Sequence, residues 1–399
     1  MYGTFLHGSS PTNSSAFGEF LVVQPTAIIQ LQFPYNINTD YVTTSATGAG
    51  TVTSSTNFAL LQTGASASSS ATMLSRQRLH YQASQGCVTM YTALFTTGVA
   101  NSTQKIGIGN AQDGFFFGFN GTTFGILHRV NSVDTWIPQT SWNQDKFNGS
   151  GASGVTLDPT KGNIYKIQYQ WFGFGAINFF IENPNTGALV LVHQIQYANA
   201  NTATSLLNPA LQLMAEVINT TNATNVTLKT PSFAGIIEGF VNPDQDTKHS
   251  AYSGDAAVTV PNNSPTFNSI LTIRNNSTFV GKTNQVVIYL ELLCLMNSTV
   301  AADVVVTVYL NPTFGAALTY SSVNADTSVV DFSRTVTTII AGTGTALMTI
   351  YSAGGPTTNF IDLSDYDFLL NPGDILTVAA SRISGAGTNL ASLSWRERF

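Results

Sequence analysis

Short runs of alternating apolar and polar residues, separated by turn residues, cover most of the chain. The segment from Asn163 to Trp171, NIYKIQYQW, places large apolar side chains at alternate positions, with Lys or Gln between them. A period of two is typical of a β-strand with one buried face. The short turns FGFG and NPNTG connect this run to AINFFIE and ALVLVHQIQY. The pattern therefore predicts a meander of antiparallel strands.

The segment DGFFFGFNGTTFGILHR, residues 113–129, has four phenylalanines within five positions. An Asn-Gly pair between two apolar runs is the strongest short-range signal for a hairpin. We therefore expect a hairpin in which Phe115, Phe117 and Phe119 share the core face of one strand. Phe116 would face away from them. A phenylalanine in this orientation predicts a second packing surface, on a sheet that is buried on both sides.

The same pattern divides the chain into three segments. Residues 1–75 contain one strand-like run and then Thr/Ser/Gly-rich stretches such as TTSATGAGTVTSSTN, which predict an extended N-terminal arm with a low-complexity linker. Residues 76–240 predict a central β-sandwich. Residues 241–399 contain long β-branched runs, such as DVVVTVYL, and predict a C-terminal β-sandwich. The expected fold class is all-β, with two β-sandwiches of jelly-roll or concanavalin-like type.

The composition changes the expected role of such a protein. Only 9% of the 399 residues are charged, against about 25% in typical soluble domains. A weakly charged surface tolerates dense self-association, which suits a component of a particle or a fibre. The net charge is −6 and there is no basic block, so we expect no nucleic-acid partner. No apolar run approaches the ~20 residues of a membrane helix, and no signal peptide is visible, so we expect no membrane partner.

Candidate chemistry is sparse. The Gly-rich string GIGNAQDG precedes a strand rather than a helix, which argues against a phosphate loop. None of the five histidines pairs at metal-ligand spacing. We therefore expect no cofactor, no metal and no enzymatic activity, and two free thiols at Cys87 and Cys294. One enzymatic alternative stays open, a β-sandwich glycan hydrolase, for which Asp145 and Glu182 would be the carboxylates to mutate.

Three aromatic side chains are candidates for contact with a ligand or a partner. Trp136 and Trp142 flank a loop, and Phe116 faces away from the core of its hairpin. Burial in a core or an interface is the simpler expectation for the tryptophans, and it is stronger still for Trp171, which ends an alternating strand. If they are exposed, such rings could stack on sugars. The first alternative function is thus a carbohydrate-binding adhesin, and the glycan hydrolase is the second.

One block of the sequence, from Arg76 to Thr220, resembles a family of virion structural proteins of tailed phages and large DNA viruses. The most specific match is the pattern W-N-x-D-K-x-(D/N)-G-S-G-x-S-G-x-x-L-D, from Trp142 to Asp158. The C-terminal string NPGDILTVAASRISGAGTNLASLSWRERF is similar to the ends of the same proteins. The chain departs from them at residues 81–84, where the relatives tend to have a Pro-Gly turn.

The resemblance implies a location in the virion and no list of catalytic residues. Together with the composition, it predicts a viral structural protein: a capsid-associated, tail or fibre component that acts by homo-oligomeric assembly. The expected partners are other copies of the chain and other virion proteins, with a host surface glycan as a further option if the chain is an adhesin on the virion surface. A trimer is the expected oligomer, by analogy with fibres and spikes that carry β-sandwich heads.

Overall fold

The structure is a computed structural model. It describes residues 14–18, 24–240, 246–255, 258–261, 265–298, 303–366, 368–383 and 385–399. The chain forms two compact units, Met1–Val241 and Asn242–Phe399. The described residues form β-strands and two 3₁₀ helices, Gln139–Ser141 and Ser364–Tyr366, so the predicted all-β fold is confirmed. No helix in this part of the chain has the length and apolar character needed to cross a membrane.

The N-terminal unit is a sandwich of two antiparallel sheets. A nine-stranded sheet has the order β13-β12-β11-β6-β15-β4-β3, with β16 also on β6 and β1 on β16; a seven-stranded sheet has the order β10-β9-β8-β7-β14-β5-β2. The strands are β1 (Pro25–Gln32), β2 (Val42–Thr47), β3 (Thr51–Ser55), β4 (Phe58–Gln62), β5 (Ser69–Leu79), β6 (Gly86–Phe95), β7 (Ser102–Gly109), β8 (Gly114–Asn120), β9 (Thr123–Val130), β10 (Val133–Pro138), β11 (Asn163–Tyr169), β12 (Ile177–Glu182), β13 (Leu189–Ile195), β14 (Leu211–Asn219), β15 (Thr227–Thr230) and β16 (Ser232–Glu238).

Aromatic side chains from both sheets fill the core of this unit. The ring of Phe95, on the nine-stranded sheet, packs edge-on against Phe124 of the other sheet, with centroids 5.5 Å apart. Tyr165 and Phe117 meet across the same gap at 4.9 Å. The Tyr91 hydroxyl donates a hydrogen bond to the carbonyl oxygen of Ile106 at 2.8 Å. These contacts join the two sheets and give the alternating strands their buried face.

The sequence predicts an extended N-terminal arm over residues 1–75. In the structure, the part of this range from residue 25 onward belongs to the β-sandwich. Strands β1 to β4 and most of β5 lie in this range, and they pair with β16, β15 and β14 of the sandwich. Small side chains are enough here, because Ala71 and Ser75 of β5 face inward between larger residues of neighbouring strands. Composition alone therefore underestimated how much of this stretch is ordered. Residues 1–13 and 19–23 lie outside the described part.

The C-terminal unit is a second sandwich. One six-stranded sheet has the order β17-β30-β22-β27, with β18 on β30 and β28 on β22; the other has the order β24-β25-β19-β29-β23-β26. The strands are β17 (Thr247–Tyr252), β18 (Val258–Val260), β19 (Asn268–Asn275), β20 (Thr278–Phe279), β21 (Lys282–Thr283), β22 (Val287–Asn297), β23 (Val304–Leu310), β24 (Ser321–Ser322), β25 (Val330–Ser333), β26 (Thr345–Ser352), β27 (Thr357–Asp362), β28 (Leu369–Leu370), β29 (Ile375–Arg382) and β30 (Gly387–Arg398).

The last strand, β30, contributes a buried tryptophan and its hydrogen-bond partner to the core of the C-terminal unit. Trp395 of β30 is fully buried, and its indole Nε1 donates to the Glu397 carboxylate at 2.9 Å. The same carboxylate accepts hydrogen bonds from the Ser328 hydroxyl at 2.6 Å and the Val329 N–H at 2.9 Å. These three donors satisfy the buried carboxylate, which thereby connects β30 to the segment at residues 328 and 329. The Arg-Glu-Arg cluster at the end of the sequence is thus part of the fold.

Candidate functional site

The phenylalanine-rich hairpin forms as the sequence predicts. Strand β8 pairs with β9 through a turn in which Gly121 has a φ of 58°, a left-handed conformation that favours glycine. Phe115, Phe117 and Phe119 face the core of the N-terminal unit. Phe116 faces the opposite side of the seven-stranded sheet, where it packs with other apolar side chains. The hairpin is confirmed, and so is burial of this sheet on both sides at Phe116.

The outer side of the seven-stranded sheet carries a narrow apolar row, which we call the outer strip. Strand register aligns Met214, Gly107, Phe116, Leu127 and Trp136 across five neighbouring strands. A Cβ atom on Gly107 would lie 2.2 Å from the carbonyl oxygen of the neighbouring strand, so only glycine fits this close approach. Met214 is nearly buried and the two central side chains have no exposed surface. A ligand reaches only the Trp136 end of the strip.

Two ion pairs border the outer strip. Lys105 pairs with Glu216, and its ammonium lies 5.8 Å from the centre of the Phe116 ring. Burial lowers the pKa of Lys105, and the Glu216 carboxylate opposes that shift. Arg129 donates two hydrogen bonds to Asp134, at 2.6 Å and 2.9 Å. The charged groups beside the outer strip are paired with each other. We therefore interpret the strip as a packing surface rather than a ligand-binding site.

Trp142, the second candidate tryptophan, lies in the core. Only 2% of its surface is exposed, and its ring packs edge-on against Phe117 with centroids 6.0 Å apart. It is therefore not available for stacking on a ligand. Trp171 is half-buried and packs edge-on against Tyr81 at 5.7 Å. Of the three candidate aromatics, Phe116 and Trp142 are buried and Trp136 is half-buried at an edge strand.

Asp145, a candidate catalytic carboxylate, holds the loop that contains the most specific sequence motif. One carboxylate oxygen accepts the Phe147 N–H at 2.9 Å and the other accepts the Ser153 N–H at 2.8 Å. Gly151 packs against the same group, since a Cβ atom there would lie within about 2 Å of it. The spacing of aspartate and glycines in the motif thus encodes a folded loop. Glu182 lies at the end of β12, in register with Leu189.

The C-terminal unit exposes an apolar sheet face that sequence reasoning missed. Leu292, Cys294 and Met296 of β22 point away from the core, and register places Phe360 beside Cys294 and Leu390 beside Met296. We call these five residues the β22 outer face. Phe360 is 72% exposed, Met296 38% and Leu292 37%. The signal was present in QVVIYLELLCLM, which is apolar at both odd and even positions although only one side of the strand faces the core. An irregularity between Leu290 and Leu292 changes which parity that is: Ile288 and Leu290 are in the core before it, and Leu293 and Leu295 after it.

Strand β27, which carries Phe360, pairs with β22 on one side and forms an edge of its sheet in the described part of the chain. Next to it, β30 presents Ser392 and Ser394 in register with Cys294 and Leu292. Asp362 of β27 lies in register with Leu292, and Lys248 and Arg396 lie in register on β17 and β30. The β22 outer face is therefore an apolar row that is bordered by serines on one strand and by the Asp362 carboxylate on another.

Comparison with known proteins gives no family for this chain. No family model and no curated protein matches it. Solved structures with some likeness include the carbohydrate recognition domain of Emp46p, a glycosyl hydrolase family protein from Mycobacterium fortuitum and a β-glucanase of Bacillus licheniformis. Their sequence identities are 6%, 8% and 12%, with TM-scores of 0.33, 0.37 and 0.34. The matches cover 51%, 53% and 53% of this chain and 91%, 99% and 97% of theirs. Nothing about the activity of this chain follows from likenesses at this level.

Proposed function

We propose that this protein is a structural component of a virion and acts by homo-oligomeric assembly. The observation that carries the proposal is the β22 outer face, where Leu292, Met296 and Phe360 are exposed together. An exposed group of large apolar side chains costs free energy in water, and covering it with a partner recovers roughly 25 cal/mol per Å² of apolar area. The neighbouring edge strand β27 adds main-chain groups that a second chain can pair with.

A second copy of the same chain is the partner that best fits this face. The five residues that define the face carry no charge and the Asp362 carboxylate only borders it, so apolar contact rather than charge pairing would hold a partner there. With only 9% charged residues, the chain has little charge repulsion to hinder close packing of copies. An interface of this kind would be apolar in its centre and polar at its serine-rich border, as stable interfaces usually are. The trimer remains the oligomer that we propose.

The location in the virion rests on the resemblance over residues 76–220. The loop motif from Trp142 to Asp158 is the most specific part of that resemblance, and within it Asp145 and Gly151 maintain the fold of the loop. Mass spectrometry of purified virions, with the copy number of each protein, tests this part. We expect the chain in many copies per particle. Its absence from purified virions would contradict the proposal.

A further inference from the structure

A groove of about 400 Å³ lies beside the connection from β1 to β2 in the N-terminal unit. Its floor consists of the buried side chains of Leu31, Phe33 and Val42. Its rim carries Tyr35, which is 91% exposed, and Tyr41, which is 61% exposed. The volume lies within the range of about 300–1,000 Å³ that is usual for sites of small ligands. Two exposed aromatic rings thus border a cavity of suitable size.

The main chain holds both tyrosines in place although their side chains are exposed. The Ser54 hydroxyl donates to the carbonyl oxygen of Tyr35 at 3.2 Å. The N–H of Tyr41 donates to the Asn38 carbonyl oxygen at 3.2 Å, and the Arg76 N–H donates to the Tyr41 carbonyl oxygen at 2.8 Å. Because the backbone is fixed, little backbone entropy is lost when the rings contact a ligand.

The polar groups of the groove are amides. Gln30, Gln32 and Asn36 line it, and within the described residues their side chains make no hydrogen bond. Each amide group both donates and accepts hydrogen bonds. None of the residues that line the groove carries a charge. The groove therefore offers exposed aromatic faces on a fixed main chain, together with neutral donors and acceptors.

We infer that this groove binds a neutral oligosaccharide. A sugar ring has an apolar face of C–H groups, which packs against tyrosine, and a rim of hydroxyls, which satisfy both the donors and the acceptors of amides. A charged glycan would find no opposite charge in the groove. A proline-rich peptide would supply acceptors but few donors, so the amide oxygens would stay unpaired. This binding goes beyond the proposed assembly, which does not need it.

The experiment uses the full chain and an array of short oligosaccharides of glucose, mannose, galactose and N-acetylglucosamine, with sialylated and sulfated glycans and a proline-rich peptide included. Calorimetric titration with the best neutral oligosaccharide then compares the wild type with Tyr35→Ala, Tyr41→Ala and Gln32→Ala. Tyr351→Ala is the matched control, because this tyrosine is 74% exposed in the other unit. Since both groove tyrosines are mostly exposed, their replacement leaves the fold intact.

We expect binding of a neutral oligosaccharide, a loss of affinity of about tenfold or more in either groove tyrosine variant, and no change in Tyr351→Ala. The Gln32→Ala variant should lose a smaller factor. Three results would overturn the inference: no neutral glycan binds, the two groove variants bind as the wild type does, or only the acidic glycans or the peptide bind. The oligomeric state of the same samples reports separately on assembly.

Discussion

Asp145 and Glu238 are both buried carboxylates, and their surroundings give them different effects on stability. Both oxygens of Asp145 accept main-chain N–H groups, so its charge is well compensated. Glu238 accepts one hydrogen bond, from Gln168 at 2.5 Å, and its second oxygen has no partner within the described residues. Burial raises the pKa of Glu238, while Gln168 and the Lys166 ammonium oppose that shift. The first carboxylate stabilises the fold and the second is a source of strain.

The Asp145→Asn substitution should destabilise the protein by about 2–3 kcal/mol, because one N–H of the loop would then face an amide donor in place of a charged acceptor. Urea denaturation followed by tryptophan fluorescence measures the change. Asp158→Asn is the control, since the Asp158 carboxylate caps an exposed turn at Thr160 and its loss should matter little. An unchanged unfolding free energy in Asp145→Asn would refute the loop-holding role.

The Glu238→Gln substitution should raise stability at neutral pH. A raised folded pKa means that the folded protein holds this proton more tightly than the unfolded chain does, so ionisation of Glu238 costs stability above that pKa. The cost disappears as the pH falls through the folded pKa towards the ordinary value of 4.5. The variant also removes the attraction between Glu238 and the Lys166 ammonium, but burial has the larger effect on the pKa of Glu238. The denaturation midpoints of the wild type and of Glu238→Gln, measured across this pH range, should therefore approach each other as the pH falls. Parallel curves for both proteins would contradict this explanation.

At the scale of elements, β8 shows how a strand can be buried on both sides. Its odd-numbered phenylalanines pack across the sandwich, and Phe116 packs along the outer strip with Leu127 and Met214. If the strip is a true packing surface, Phe116→Ala should cost about 3–5 kcal/mol, as much as Phe117→Ala on the core side. Thermal and chemical denaturation of the two variants provides the comparison. A cost near zero for Phe116→Ala would show that the ring is free to serve a ligand.

The hairpin was predictable from sequence because Asn-Gly and the alternation of phenylalanines are local signals. The strands between residues 25 and 75 were not, because their burial also needs partners more than a hundred residues away on β14: Ala71 pairs with Val217, and the Leu213 N–H donates to the Ser75 hydroxyl. Trp142 shows the same limit. A tryptophan beside a loop is equally compatible with surface or core, and only the position of Phe117 and Phe124 around it decides.

Strand β22 gives a prediction about its own thiol. Cys294 lies on the β22 outer face beside Phe360, whereas Cys87 is fully buried in the N-terminal unit. In the assembled protein, a second copy should cover Cys294 and slow its alkylation. Phe360→Ser should expose it and speed the reaction at least about tenfold, while Cys87 stays unreactive as an internal control. Mass spectrometry after timed treatment with iodoacetamide reads both sites. Equal rates in the wild type and the variant would contradict coverage of this face.

At the scale of the whole molecule, two all-β units each bury their own core, and the features left for function lie on their surfaces. The N-terminal unit provides the tyrosine groove and the C-terminal unit provides the β22 outer face. Composition predicts self-association only as a tendency, since low charge does not say where copies would meet. The residues that mark the place, Phe360 and Met296, lie on strands that also contribute to the core, so their exposure depends on the final register.

Homo-oligomeric assembly through the β22 outer face is the central claim, and sedimentation velocity of the full chain tests it most directly. The wild type should sediment as a trimer of the 42.5 kDa chain. The double variant Met296→Ser with Phe360→Ser should sediment as a folded monomer. Tyr351→Ser, which removes an equally exposed aromatic from the other sheet of the same unit, should remain a trimer. A wild type that stays monomeric at high concentration, or a double variant that assembles as the wild type does, would contradict the claim.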